Sequence, residues 1–197
     1  HVMLGATDSL YSSVISLHAQ VRSIFPTPRR LEPLDIENVM ELLHRRIDHL
    51  RIDDEMEAVL PVTPALVREL FDVFHGDLRG MLSALEEACL GALATIRSEP
   101  LSIGEARSVL APLYREHLEA TLSEAEKSHL VSLFRLELDE FRQADVVKPL
   151  GISQPRVSTL FASLERSQAI VPVRTSGRSQ YFSIAGRARI ALESMVT

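Results

Sequence analysis

Between Arg142 and Arg189 the chain holds 8 Lys+Arg and 2 Asp+Glu, although its formal net charge is −6. Residues 1–120 hold 11 basic and 19 acidic residues. A basic segment in an acidic chain points to an anionic partner for that segment alone. Its centre reads Ser153-Gln154-Pro155-Arg156-Val157-Ser158-Thr159. On one helical turn and a half, Gln154, Arg156, Ser158 and Thr159 would offer donors and acceptors suited to base edges in a major groove. Gln pairs bidentately with adenine and Arg with guanine, each discriminating by roughly 1–3 kcal/mol. Ser153, at the helix start, would present backbone N–H groups to a phosphate. Arg174 and Arg178 flank the turn of a following hairpin, placed to touch phosphate or enter a narrow minor groove.

A second motif lies upstream. Gly76-Asp77-Leu78-Arg79 by itself reads as an exposed pair at a helix start. Other chemistry finds no support. His44 and His49 are five apart, not the four that aligns two ligands on one helix face. Cys89 is the single cysteine, so no internal disulfide forms and a reducing, cytoplasmic setting is expected. Asp53, Asp54, Glu55 and Glu57 read as a solvated acidic patch, and no serine sits in G-x-S-x-G. Aromatic residues make up 5% with no Trp, which argues against stacking platforms for single strands. No apolar run reaches the roughly 20 residues of a membrane span, and no signal peptide opens the chain. No G-x-x-x-x-G-K-[ST] phosphate loop and no acidic Walker B strand precede the motif, so this chain alone is not expected to hydrolyse ATP or to bind a cofactor.

The elements that must position these residues are mostly helical. Val2–Ala6 reads as a buried strand and Val14–Val21 as a weakly patterned helix, followed by a proline-punctuated link over Phe25–Pro33. Asp35 caps a helix whose Ile36, Val39, Met40, Leu43, Ile47 and Leu50 form one stripe. Thr63-Pro64 opens another, with Leu66, Val67, Leu70, Phe71 and Phe74 inward. Gly76 ends it and Asp77 caps the next, which is apolar on more than one face and expected to be the most buried. Ser102-x-x-Glu105 and Ser123-x-x-Glu126 are capping boxes. The second opens a helix with Leu130, Leu133, Phe134 and Leu138 inward. A short helix over Gln143–Leu150, a turn at Gly151, and a helix with Val157, Leu160, Phe161 and Leu164 inward follow. Two alternating runs around Thr175–Arg178 then predict a hairpin. Helix, helix, turn, helix, hairpin is the order of a winged helix-turn-helix.

With these residues in view, Gln143–Leu192 resembles the DNA-binding region of MarR-type and related winged-helix regulators. The matching pattern is QADVVKPLGISQPRVSTLFASLERSQAI, a GRSQYF wing and IAGRARIAL as the returning helix. Such families often carry Gly between recognition helix and wing, where this chain has Ser167-Gln168-Ala169. The front of the chain, VMLGATDSLYSS through GDLRGMLSALEEA, resembles the distal half of an AAA+ ATPase, closest in style to origin-recognition-type initiators and clamp-loader relatives. That resemblance implies that Thr7 holds the polar sensor-1 place and that Arg79, with Asp77 in the G-D-x-R motif, is the sensor-2 arginine. It also implies ATP or ADP with magnesium in a parent protein. Gln20 and Ile24 stand where such families carry arginines, with Arg22 off that register, so the arginine finger is not matched.

The expectation is therefore a mainly α protein, a helical AAA+ lid-like bundle followed by a winged helix-turn-helix with a small β-hairpin wing. Residues 1–30 would be a remnant of a nucleotide-binding core, 31–120 the lid and 121–197 the winged helix. The chain opens mid-pattern on His1, so a fragment of a longer protein is expected. Double-stranded DNA is the expected partner, with self-association or protein contacts through AAA+ surfaces as a further possibility. Two other readings stay open: a stand-alone transcription regulator with a helical sensing or dimerisation region, and a winged helix used for protein assembly.

Overall fold

Capping chemistry and apolar spacing account for most of the elements. A computed structural model describes residues 17–24, 32–51, 59–92, 99–177 and 179–196. The described residues are mainly α, with one two-stranded antiparallel sheet among them. It divides into two units, His1–Pro33 and Leu34–Thr197. In the first, helix α1 spans Ala19–Ile24. The expected strand over Val2–Ala6, with Thr7, lies outside the described residues.

In the second unit, α2 spans Ile36–His49, and the Asp35 carboxylate accepts from the Asn38 N–H at 2.8 Å. Its stripe is less covered than the spacing predicts: Val39 is buried, Ile36, Met40 and Leu43 pack at the edge of the core, and Leu50 is exposed. Helix α3 spans Pro64–Val73, with Thr63 as N-cap and Pro64 in the first turn. Helix α4 spans Leu78–Ala92 and buries one face through Met81, Ala84, Leu85 and Ala88. Leu90 on its other side is exposed, so apolar character all round did not make this helix the most buried. Helix α5 spans Ile103–Thr121 and carries Pro112 inside it. At its start Glu105 accepts from the Ser102 N–H at 3.0 Å and from its hydroxyl at 2.6 Å.

Helix α6 spans Glu124–Phe134, opened by the Ser123/Glu126 box. It ends before Leu138, which is exposed because Glu137 turns the chain into a left-handed conformation at φ 52°. Helices α7 (Gln143–Leu150) and α8 (Gln154–Arg166) follow, then strands β1 (Ile170–Ser176) and β2 (Ser179–Ile184). The strands pair with Ile170 opposite Ile184 and Ser176 opposite Ser179, with a bulge between Pro172 and Arg174. Phe141 bridges the far edge of β2 through both backbone bonds to Phe182, each 2.9 Å. Helix α9 spans Gly186–Val196.

Helix α9 does more than return along the hairpin. It packs most extensively on α5 and also meets α3, α4 and α6. One buried cluster consequently runs from Val39 through Phe74, Leu110 and Leu133 to Phe161 and Leu192. Polar pairs close this junction: the Arg187 guanidinium donates to Glu87 at 2.8 Å, Tyr114 donates to the same carboxylate, and Arg107 pairs with both Glu69 and Glu193. Among the described residues no helix is long and apolar enough to cross a membrane.

Candidate nucleic-acid interface

Residue by residue, the turn between α7 and α8 sets up one exposed helix end. Gly151 takes the left-handed conformation at φ 64°, which costs glycine little because it has no Cβ. The chain then extends through Ser153 and enters α8 with Pro155 in the first turn. Val157, Leu160, Phe161 and Leu164 face the core. Phe161 is held edge-on by Phe141 at 5.7 Å and by Phe182 at 5.1 Å between ring centroids. That double contact fixes the rotation of α8 about its axis, and the rotation leaves Ser153, Gln154, Arg156, Ser158 and Thr159 together on the exposed side. No acidic residue occurs on α8 before Glu165. Ser153 adopts N-cap backbone angles, but its hydroxyl makes no capping bond. Thr159 donates to the Pro155 carbonyl at 3.1 Å, and no ion pair engages Arg156 among the described residues.

Three other arginines of the basic segment, Arg142, Arg174 and Arg187, behave differently. Arg142 forms a two-pronged pair with Asp145, at 3.0 and 2.7 Å, and that pair also caps α7. The Asp145 carboxyl is consequently held below its usual range. Arg187 is committed to Glu87 and the Tyr114 ring. Arg174 donates through Nε to Glu140 at 2.6 Å and stacks 3.8 Å from the centre of the Tyr181 ring. Arg142 lies 5.6 Å from the same ring. Arg178 lies outside the described residues. Clustered charge in sequence is thus partly neutralised in space.

Tyr181 and Glu140 carry no obvious signal on their own. Counting outward from the hairpin turn places Tyr181 directly opposite Arg174, where cross-strand side chains share a face. Glu140 arrives from the α6–α7 loop, 34 positions away in sequence, and no local pattern announces it.

The upstream motif is built as a helix start. His75 and Gly76 both take left-handed angles, φ 48° and 82°, and the Asp77 carboxylate accepts from the Gly80 N–H at 3.1 Å. Asp77 is therefore occupied as the cap of α4, while Arg79 stands exposed in the first turn. One guanidinium does not hold a nucleotide, and no cluster of three metal-ligating side chains occurs among the described residues.

Beside this turn lies an open cleft of about 610 Å³, lined by residues that include Asp72, His75, Asp139, Glu140 and Ser183. Burial, and then the positive charge of Arg189, lower the His75 pKa. The Ser183 hydroxyl is buried and has no hydrogen-bond partner among the described residues.

Compared with family models, curated proteins and solved structures, the chain matches none.

Proposed function

We propose that residues 121–197 act as a winged helix-turn-helix that engages double-stranded DNA through the start of α8. Under this reading α8 enters the major groove, the β1–β2 hairpin is the wing, and α2–α5 form the lid-like bundle of an AAA+ ATPase. The observation that carries the proposal is the exposed, acid-free face formed by Ser153, Gln154, Arg156, Ser158 and Thr159. Short polar side chains let the helix backbone approach the bases, and an arginine with no carboxylate partner among the described residues keeps its charge for guanine or phosphate. The unused Ser153 hydroxyl and the first N–H groups of α8 suit a backbone phosphate.

Fluorescence anisotropy with a random duplex, titrated across salt, tests this. Each neutralised phosphate contributes roughly −0.9 to the log–log salt slope. Binding with a slope of several units, weakened in Arg156→Ala, is the expected result. Absence of binding at low salt, where phosphate attraction is strongest, overturns it.

In the nucleotide arm of the proposal, Arg79 is the residue that would lean on a γ-phosphate bound by the intact ATPase. Unchanged ATP turnover of that enzyme in Arg79→Ala would remove this role.

A second reading, an assembly module, is favoured by the intramolecular pairing of Arg142, Arg174 and Arg187. It is also favoured by the exposed apolar side chains of Val171 and Val173 on β1. Association with protein that is insensitive to salt, without DNA binding, is its signature.

A further inference from the structure

The arginine of the hairpin is not presented bare. Arg174 is held on two sides at once: its Nε–H donates to the Glu140 carboxylate at 2.6 Å, and its guanidinium carbon lies over the Tyr181 ring, 3.8 Å from the ring centre. The guanidinium is still half exposed and Glu140 about a third exposed, so the pair sits at the surface, open to competing anions. The carboxylate holds the Arg174 proton more firmly and cancels most of its field at a distance. Tyr181, fixed opposite Arg174 by the strand register, would hold the side chain in place if the carboxylate left.

We infer that Glu140 is an internal counter-ion that masks Arg174, and that a DNA phosphate binds there by displacing the carboxylate. The inference rests on the DNA reading above and names Glu140 as the residue that sets the affinity of the hairpin. A phosphate offers charge-assisted hydrogen bonds of the same geometry as a carboxylate. The exchange therefore conserves the arginine's bonds, and only the difference between two anions appears as affinity. With the mask in place the hairpin contributes little to non-specific binding. With the mask removed it contributes a full phosphate contact.

The test uses the whole chain and a random duplex, followed by anisotropy across salt. The proteins compared are the parent, Glu140→Gln, Asp139→Asn, Arg174→Ala, and Glu140→Gln combined with Arg174→Ala. Glu140→Gln is expected to tighten binding about two- to fivefold at low salt, the scale of an exposed ion pair. It should also steepen the salt slope by up to about 0.9. The gain should vanish in the Arg174→Ala background. Asp139→Asn, which removes a neighbouring charge that has no bond to Arg174, should tighten binding less. A gain that persists without Arg174, or that Asp139→Asn equals, overturns the mask and leaves Glu140 as diffuse charge. So does the absence of any gain in a protein that still binds DNA. If neither the parent nor Glu140→Gln binds at low salt, the DNA reading fails and takes the mask with it. That outcome is distinct, because in the others the parent binds.

Discussion

The ring of Phe74 fills the space that a Cβ on Gly186 would need, with ring carbons 2.7 Å from where that atom would sit. Phe74 caps the C-terminus of α3, and Gly186 opens α9, so this contact joins the helical bundle to the element that follows the hairpin. Gly80 on α4 touches the same ring, 2.8 Å from its own missing Cβ. A single aromatic side chain is thus seated between two bare helix backbones. The contact links the motif around Asp77 to the segment that carries α8.

Gly186→Ala should destabilise the protein by about 1–3 kcal/mol, the usual cost of overpacking a filled site. Chemical denaturation measures it. Phe74→Leu makes room, so the same glycine substitution should cost clearly less in that background. An equal cost in both would show that the ring is not the obstacle.

Gln168 sits at φ 58° in the loop between α8 and β1. Its N–H donates to Glu165 and the Ala169 N–H to Leu164, at 3.0 and 2.8 Å, which is the Schellman ending of a helix. That position favours glycine, and a side chain there costs roughly 1–2 kcal/mol in backbone strain. Gln168→Gly should stabilise by about 0.5–1 kcal/mol once the extra freedom of glycine in the unfolded chain is subtracted. Thermal and urea unfolding report it, and a loss of stability would contradict the strained-loop account.

Tyr114 predicts a pH dependence. Burial, and then its hydrogen bond to Glu87, push the phenol well above its ordinary value of 10.0. The folded chain therefore holds this proton more tightly than the unfolded chain does. Its contribution is complete below the unfolded value and is lost as pH rises through 10.0 and beyond. As pH rises above 10.0 the parent should lose stability more steeply than Tyr114→Phe, since only the parent carries the linked proton. Parallel curves for the two proteins would remove Tyr114 from the linkage.

Much of this fold is local and was legible residue by residue. The caps at Asp35, Thr63, Ser102 and Ser123, the turn at Gly151 and the stripe of α8 follow from bonds that close within four positions. Such bonds do not need the rest of the molecule. The exposed polar set from Ser153 to Thr159 was legible for the same reason: helical period decides which side chains oppose the apolar stripe. Three things required the tertiary structure. Leu50 and Leu90 sit on apolar patterns yet stay exposed, because coverage depends on which neighbours arrive. Helix α9 reads as part of the hairpin unit, but it buries Ile190 and Leu192 in a core shared with α5. And basic residues of one sequence segment found carboxylates far from them along the chain, Glu140 for Arg174 and Glu87 for Arg187. Charge is counted along the chain, but a field is summed in space, so only the folded molecule decides which arginines remain unpaired.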